Sequence, residues 1–296
     1  MEFKSNSWMS KIEDDKNLFS LDVPGTHDCV TQFVQLPYIA RCQNLNIYQQ
    51  LCLGVRALDI RVQAKGDRLG MVHGFTKAFN TPNRLGRQMD MADVLSHCYR
   101  FLREHGSETV IFQFKNDSGR EMEKCFANLY YQYICKNKDM WYLENRIPAL
   151  GEVRGKIVLL RRCKMDLSNP DFTDKNTGID FSRWVEQDTA VPDALVLKTN
   201  SLDRAEFIVQ DRFKYKPYPR WNDCIKPFLD ERAVFDGTYV ICYLSTAGGF
   251  KGPKRNAEYI NCQFMKYKLE KNKYYGTIYV DFPDKDLTEK IIRNNF

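Results

Sequence analysis

Short runs of β-branched and aliphatic residues alternate with amphipathic helical patterns along this chain, and that alternation restricts its fold more than any other feature. The runs fall at 19–23, 55–62, 69–73, 109–115, 156–162, 207–211, 239–245 and 276–281, which predicts eight strands. Several are near-continuous apolar stretches, as in strands buried on both faces of a parallel sheet. Helical patterns at 91–104, 120–136, 220–232, 257–272 and 287–294 separate many of them. The expected fold is α/β: a single distorted TIM-type (β/α)8 barrel spanning residues 1–296 as one domain. One unit is irregular, because the link from Val62 to Leu69 is too short for a helix and holds the turn signal Lys65-Gly66-Asp67. Residues 165–196 lack a clear period and are expected to form a long loop region.

Composition bounds the function. No apolar stretch approaches the ~20 residues that a spanning helix needs, so no transmembrane segment is expected. Residues 1–15 are polar, without an apolar core or a small-residue cleavage site, so no export signal is expected; a chain starting at a mature end would read alike, which leaves secreted and cytoplasmic locations open. A net charge of +6, not gathered into a run, suits an anionic lipid surface and gives no case for nucleic acid. The ten cysteines show neither CxxC pairs nor metal-finger spacing and read as mostly buried thiols of a reducing setting. Nothing resembles a dimer seam, so a monomer is expected.

The four histidines divide into two kinds. His97 and His105 sit in or just after a helical pattern and suit surface or capping roles. His27 follows the first strand in Pro24-Gly25-Thr26-His27-Asp28, and His73 ends the third in Met71-Val72-His73-Gly74. In a barrel both emerge at the C-terminal face, where such folds keep their active sites. In the second strand, period two puts Asp59 and Arg61 on one face and Arg56, Leu58 and Ile60 on the other. Charges facing inward at a barrel mouth are costly unless paired or used on a ligand. The eighth strand brings Asp281 to the same rim.

Pro24-Gly25-Thr26-His27-Asp28, the stretch from Gly54 to Arg61, and His73-Gly74, in that order and spacing, resemble the X domain of bacterial phosphatidylinositol-specific phospholipases C. The likeness continues through Lys115, the stretch from Gly155 to Arg162, Val209-Gln210-Asp211, the stretch from Ser245 to Gly249, and Asp281. The resemblance implies a phosphatidylinositol diacylglycerol-lyase that forms diacylglycerol and inositol 1,2-cyclic phosphate. It implies His27 as general base held by Asp281, His73 as general acid with Asp28 beside it, and Arg61 flanked by Asp59 on the phosphate. It further implies Lys115, Arg162 and Asp211 on the inositol hydroxyls, with no cofactor and no metal. Two imidazoles on opposite sides of a phosphorus suit in-line displacement, and a fixed guanidinium offsets charge on the non-bridging oxygens.

The chain departs from the family pattern two residues after Asp211, where Phe213 replaces an aromatic hydroxyl; stacking survives but its hydrogen bond does not. The expected partner is phosphatidylinositol in a membrane, met peripherally. Phe213 to Trp221 interleaves aromatics with Lys and Arg in a way that suits a headgroup layer. Two rival readings are a metal-dependent glycerophosphodiester phosphodiesterase and a catalytically silent inositol-lipid-binding module on the same fold.

Overall fold

A computed structural model describes residues 4–83, 86–118, 121–187 and 193–296. Seven parallel strands form its frame: β1 (Val23–Thr26), β2 (Ala57–Lys65), β3 (Val110–Asn116), β4 (Ile157–Arg161), β5 (Glu206–Gln210), β6 (Tyr239–Tyr243) and β7 (Thr277–Val280). Their order is β5-β6-β7-β1-β2-β3-β4, every neighbouring pair parallel. Leu195–Lys198 extends the β5 edge antiparallel, and Ile179–Asp180 extends the β4 edge. Among the described residues no ladder joins those two edges.

Two sequence expectations are corrected. Residues 19–23 are not the first strand: Leu18–Ser20 is a single 3-10 turn, and β1 runs through Pro24 and Gly25. Pro24 is tolerated because its carbonyl accepts from Arg56 N at 2.9 Å, a bond that needs no N–H from proline. Gly25 is required by space, since a Cβ there would meet the Tyr279 ring at 2.8 Å. The run at 69–73 is a strand (Arg68–His73), but it returns antiparallel on β2 through the Gly66-Asp67 turn, so the parallel frame counts seven. A link that short can only make a hairpin.

Strand alternation then sorts the core. Leu58, Ile60 and Val62 of β2 face outward into a cluster with Met91, Val94 and Leu95 of the helix Met91–Glu104. Asp90 caps that helix in a reciprocal box with Asp93. Ala57, Ile111, Val158, Leu160, Phe207 and Ile241 fill the inside. Tyr243 and Tyr279 stack there, with ring centroids 4.6 Å apart.

The segment 213–221 also differs from expectation. Trp221 is 5% exposed and belongs to a core cluster. Arg220 is fully buried and donates to Gln210 Oε1 at 2.6 Å and to the carbonyls of Tyr243 and Ser245. Together they rivet the end of the segment to the barrel, so Trp221 does not face a bilayer, while Lys214, Lys216 and Tyr218 are exposed. Residues 165–187 and 193–194 are largely irregular, as expected, apart from Ile179–Asp180; residues 188–192 lie outside the described set. All ten cysteines are free, and only Cys135 and Cys262 are exposed. No helix among the described residues is long and apolar enough to cross a membrane.

Candidate active site

The carboxyl ends of the parallel strands open into a cleft of about 600 Å³. His27 directly follows β1, its N–H donating to Val280 O at 3.1 Å. The chain then turns sharply at Asp28, whose φ of +44° lies in the left-handed region. The turn is held from both sides: Asp28 N and Cys29 N reach the Asp59 side chain and carbonyl, and Thr31 donates to the Asp28 carbonyl through both N and Oγ1. Strain of this kind persists only where the surroundings fix it.

The turn aims Asp28 at three cations. Its Oδ2 lies 3.0 Å from His27 Nε2, 3.1 Å from an Arg61 terminal nitrogen and 3.3 Å from His73 Nε2. The other His27 nitrogen, Nδ1, is 2.7 Å from Asp281 Oδ1. His73 Nδ1 donates to the Ala40 carbonyl at 2.9 Å, which turns Nε2 toward Asp28. Arg61 donates to Asp59 Oδ2 through Nε and a terminal nitrogen at 3.0 and 2.9 Å. Behind it Gln113 Nε2 donates to Asp59 Oδ1 at 3.1 Å and to Tyr243 OH at 2.6 Å. The two imidazole rings stand 6.0 Å apart at a steep angle, with Asp28 Oδ2 within 3.3 Å of both Nε2 atoms.

These contacts set the charges. Burial opposes a proton on His27, but Asp281 and Asp28 outweigh it and hold the imidazole well above its ordinary 6.5. The same contest at His73, between burial on one side and Asp28 and Cys42 on the other, leaves it at about 9. Burial pushes the Asp28 carboxyl up, yet Arg61, His73 and His27 together hold it well below the usual carboxylate range.

The far end of the cleft carries the polar groups expected for a ring of hydroxyls. Lys115, at the end of β3, contacts Asp117 Oδ1 at 2.9 Å and Glu186 Oε1 at 2.8 Å. Asp211 is buried, and burial raises its carboxyl despite Arg162 and Arg220. Phe213 lines the cleft, whereas Tyr215 does not and offers no replacement hydroxyl. Of the two candidates after β4, Arg161 is occupied by Thr177 O, Cys163 O and Asp180. Arg162 faces this end but sits behind Glu186, 3.2 Å from its Oε1 and stacked on Trp184 at 3.9 Å.

The structure therefore gathers His27, Asp28, Asp59, Arg61, His73 and Asp281 at one end and Lys115, Asp211 and Phe213 along the wall, with Arg162 one layer back. His73 arrives on the hairpin and not on a barrel strand. Sequence reasoning missed Asp117, Glu186, Trp184 and Gln113. Asp117 follows Lys115 by two residues and so shares its face, a signal that was readable. Its Oδ2 accepts from Gly74 N at 2.6 Å, tying the turn after His73 to β3. His27, Asp28 and Cys42 offer ligand atoms within 4.8 Å of one another, a grouping that a metal ion could use. Arg61, 3.1 Å from Asp28, sets a fixed guanidinium beside that cluster, which disfavours a divalent ion there.

Residues 24–163 match the family described as phosphatidylinositol-specific phospholipase C, X domain. Over 98% of its length the chain is 27% identical to a 1-phosphatidylinositol phosphodiesterase of Listeria monocytogenes, covering 85% of that protein. It is also 27% identical to one of Staphylococcus aureus, covering 98% of this chain and 94% of that protein. A solved phosphatidylinositol-specific phospholipase C from Staphylococcus aureus superposes with a TM-score of 0.80 at 22% identity, covering 99% of this chain and 98% of that one. The Listeria monocytogenes enzyme superposes with a TM-score of 0.76 at 24% identity, covering 99% and 100%. Those likenesses show the fold to be the distorted barrel of these proteins. The matched X domain and the two 27%-identical relatives carry the resemblance to phosphatidylinositol-specific phospholipases C across 98% of the chain.

Proposed function

We propose that this chain is a phosphatidylinositol-specific phospholipase C that forms diacylglycerol and inositol 1,2-cyclic phosphate without a metal. The observation that carries the reading is the single carboxylate Asp28 touched by His27, His73 and Arg61 together. His27 takes the proton from the inositol 2-hydroxyl, and Asp281 stabilises the imidazolium that results. The freed oxygen attacks phosphorus while the bond to the glycerol oxygen breaks, and His73 supplies the proton that oxygen needs. Arg61 offsets the charge on the non-bridging oxygens. Because nucleophile and phosphorus share one molecule, the step is intramolecular and the cyclic ester forms first.

Lys115 and Asp211 bind ring hydroxyls directly, and the Phe213 face packs on the ring. Arg162 stands behind Glu186 and backs this end of the cleft. The relatives' names support the lipid substrate. For contact with a bilayer the surface differs from the segment expected: Tyr38, Ile39 and Phe250 are 65%, 50% and 97% exposed and line the mouth. Apolar side chains ringing a cleft suit an interface with lipid.

The test is turnover of phosphatidylinositol vesicles followed by phosphorus NMR. Wild type is expected to give the cyclic phosphate, and His27→Ala and His73→Ala each to lose about 10³-fold or more. Retention of over a tenth of the rate by either folded variant refutes the pair.

A further inference from the structure

The headgroup end of the cleft contains a residue that neither the motifs nor the reaction requires. Glu186 comes from the irregular stretch after β4, and its half-exposed carboxylate forms part of the cleft wall. Through one oxygen it contacts Lys115 Nζ at 2.8 Å and an Arg162 terminal nitrogen at 3.2 Å. Arg162 is almost wholly buried and is absent from the wall; its second terminal nitrogen has no hydrogen-bond partner among the described residues. The guanidinium thus keeps unspent donor capacity directly behind the carboxylate that screens it.

We propose that Glu186 is a specificity-determining residue: it adapts this end of the cleft to an uncharged, hydroxyl-bearing ring and against a ring that carries a phosphomonoester. The inference rests on the headgroup reading above. Lys115 and Arg162 alone would form a two-cation cradle of the kind that binds phosphate. Here Asp117 and Glu186 contact these cations, and Asp211 lines the same wall, so the cradle already carries negative charge. A ring hydroxyl donates to one of these carboxylates and accepts from Lys115, so it satisfies both signs. A phosphomonoester carries about −1.5 to −2 charges near neutral pH and offers acceptor oxygens, so it meets Glu186 as a like charge. Glu186 is the removable member of the set, because Asp117 is tied to Gly74 and Asp211 is buried. A site rejects a ligand by the group it sets against it as well as by the contacts it withholds.

The experiment compares Glu186→Gln and Glu186→Ala with wild type on phosphatidylcholine vesicles containing either phosphatidylinositol or phosphatidylinositol 4-phosphate. Both variants are expected to raise the kcat/KM ratio of phosphorylated to unphosphorylated lipid about tenfold or more. On phosphatidylinositol the loss should fall in KM and leave kcat nearly intact, since Glu186 touches no reacting atom. Glu186→Asp is expected to keep most of the wild-type preference. A ratio unchanged in both neutral variants, with phosphatidylinositol still cleaved, overturns the proposal and leaves the reaction standing. If wild type cleaves neither lipid, the reaction has failed. Calorimetric binding of inositol 1-phosphate and inositol 1,4-bisphosphate then decides for Glu186. A selective gain for the bisphosphate in Glu186→Gln supports it, and an equal effect on both ligands overturns it.

Discussion

The two ends of the cleft are built on different principles. At the histidine end the charged groups answer to fixed partners: Asp28 to His27, His73 and Arg61, Arg61 to Asp59, Asp59 to Gln113, and His27 to Asp281. At the headgroup end Lys115 shares its charge between Asp117, just after β3, and Glu186, which comes from an irregular segment and is half exposed. A reacting centre must be fixed before substrate arrives, because electrostatic help counts only when no reorganisation accompanies the reaction. Recognition of a ring tolerates looser groups. The proposed chemistry therefore sits on strand ends and turns, and the proposed selectivity on a loop.

The contrast can be broken most severely at Arg61. Arg61→Lys keeps the charge but loses the fork that spans Asp28 and Asp59, and is expected to cost about 10²- to 10³-fold in kcat. A loss under about threefold in steady-state assays would mean that the histidine end tolerates slack after all.

Asp281→Asn probes the same end through pH. Asp281 and Asp28 raise His27 above 6.5 against the effect of burial, so removing the first charge lowers its proton affinity. On the proposed mechanism the rate depends on neutral His27, so it rises with pH through that titration, and on charged His73, so it falls through about 9. Wild type should therefore show a bell peaking on the alkaline side of neutrality. The variant should lose about 10²-fold in rate, with its acid limb moved to lower pH. An unmoved limb in the kcat/KM profile would detach Asp281 from His27.

The smallest effects belong at the mouth. Tyr38→Ala and Phe250→Ala are each expected to weaken vesicle binding by roughly three- to tenfold and to act less on a soluble short-chain substrate. Trp221→Ala should instead lower unfolding free energy by about 3 to 5 kcal/mol in chemical denaturation, the usual cost of emptying a large aromatic from a core. The reverse pattern would restore the interfacial role that the sequence suggests for Trp221.

Much of this was legible because the charged residues sit on short, strongly apolar strands, where a polar side chain stands out. Asp59 and Arg61 interrupt such a strand at period two, and the structure turns both inward while Leu58 and Ile60 go out. Pro24-Gly25 misled as punctuation, since a strand between two parallel neighbours can use Pro24 through its carbonyl alone. Trp221 misled because an aromatic in a basic segment suits a bilayer and a riveted turn equally; its burial and the bonds of Arg220 are tertiary. Glu186 gave no signal, because its segment has no period and its partners lie 71 and 24 residues away in the chain.

The central claim is that Arg61 supplies the positive charge that related chemistry takes from a metal. The direct measurement is the rate on phosphatidylinositol vesicles in excess EDTA, with and without added calcium, and phosphorus NMR of the product. Arg61 already contacts Asp28 and Asp59, and His27 holds Asp281, so few carboxylates remain at the histidine end for a hard cation that usually takes six or more oxygen ligands. The account predicts a nearly unchanged rate under chelation and a cyclic phosphate as first product. Loss of activity in EDTA that calcium alone restores would contradict it.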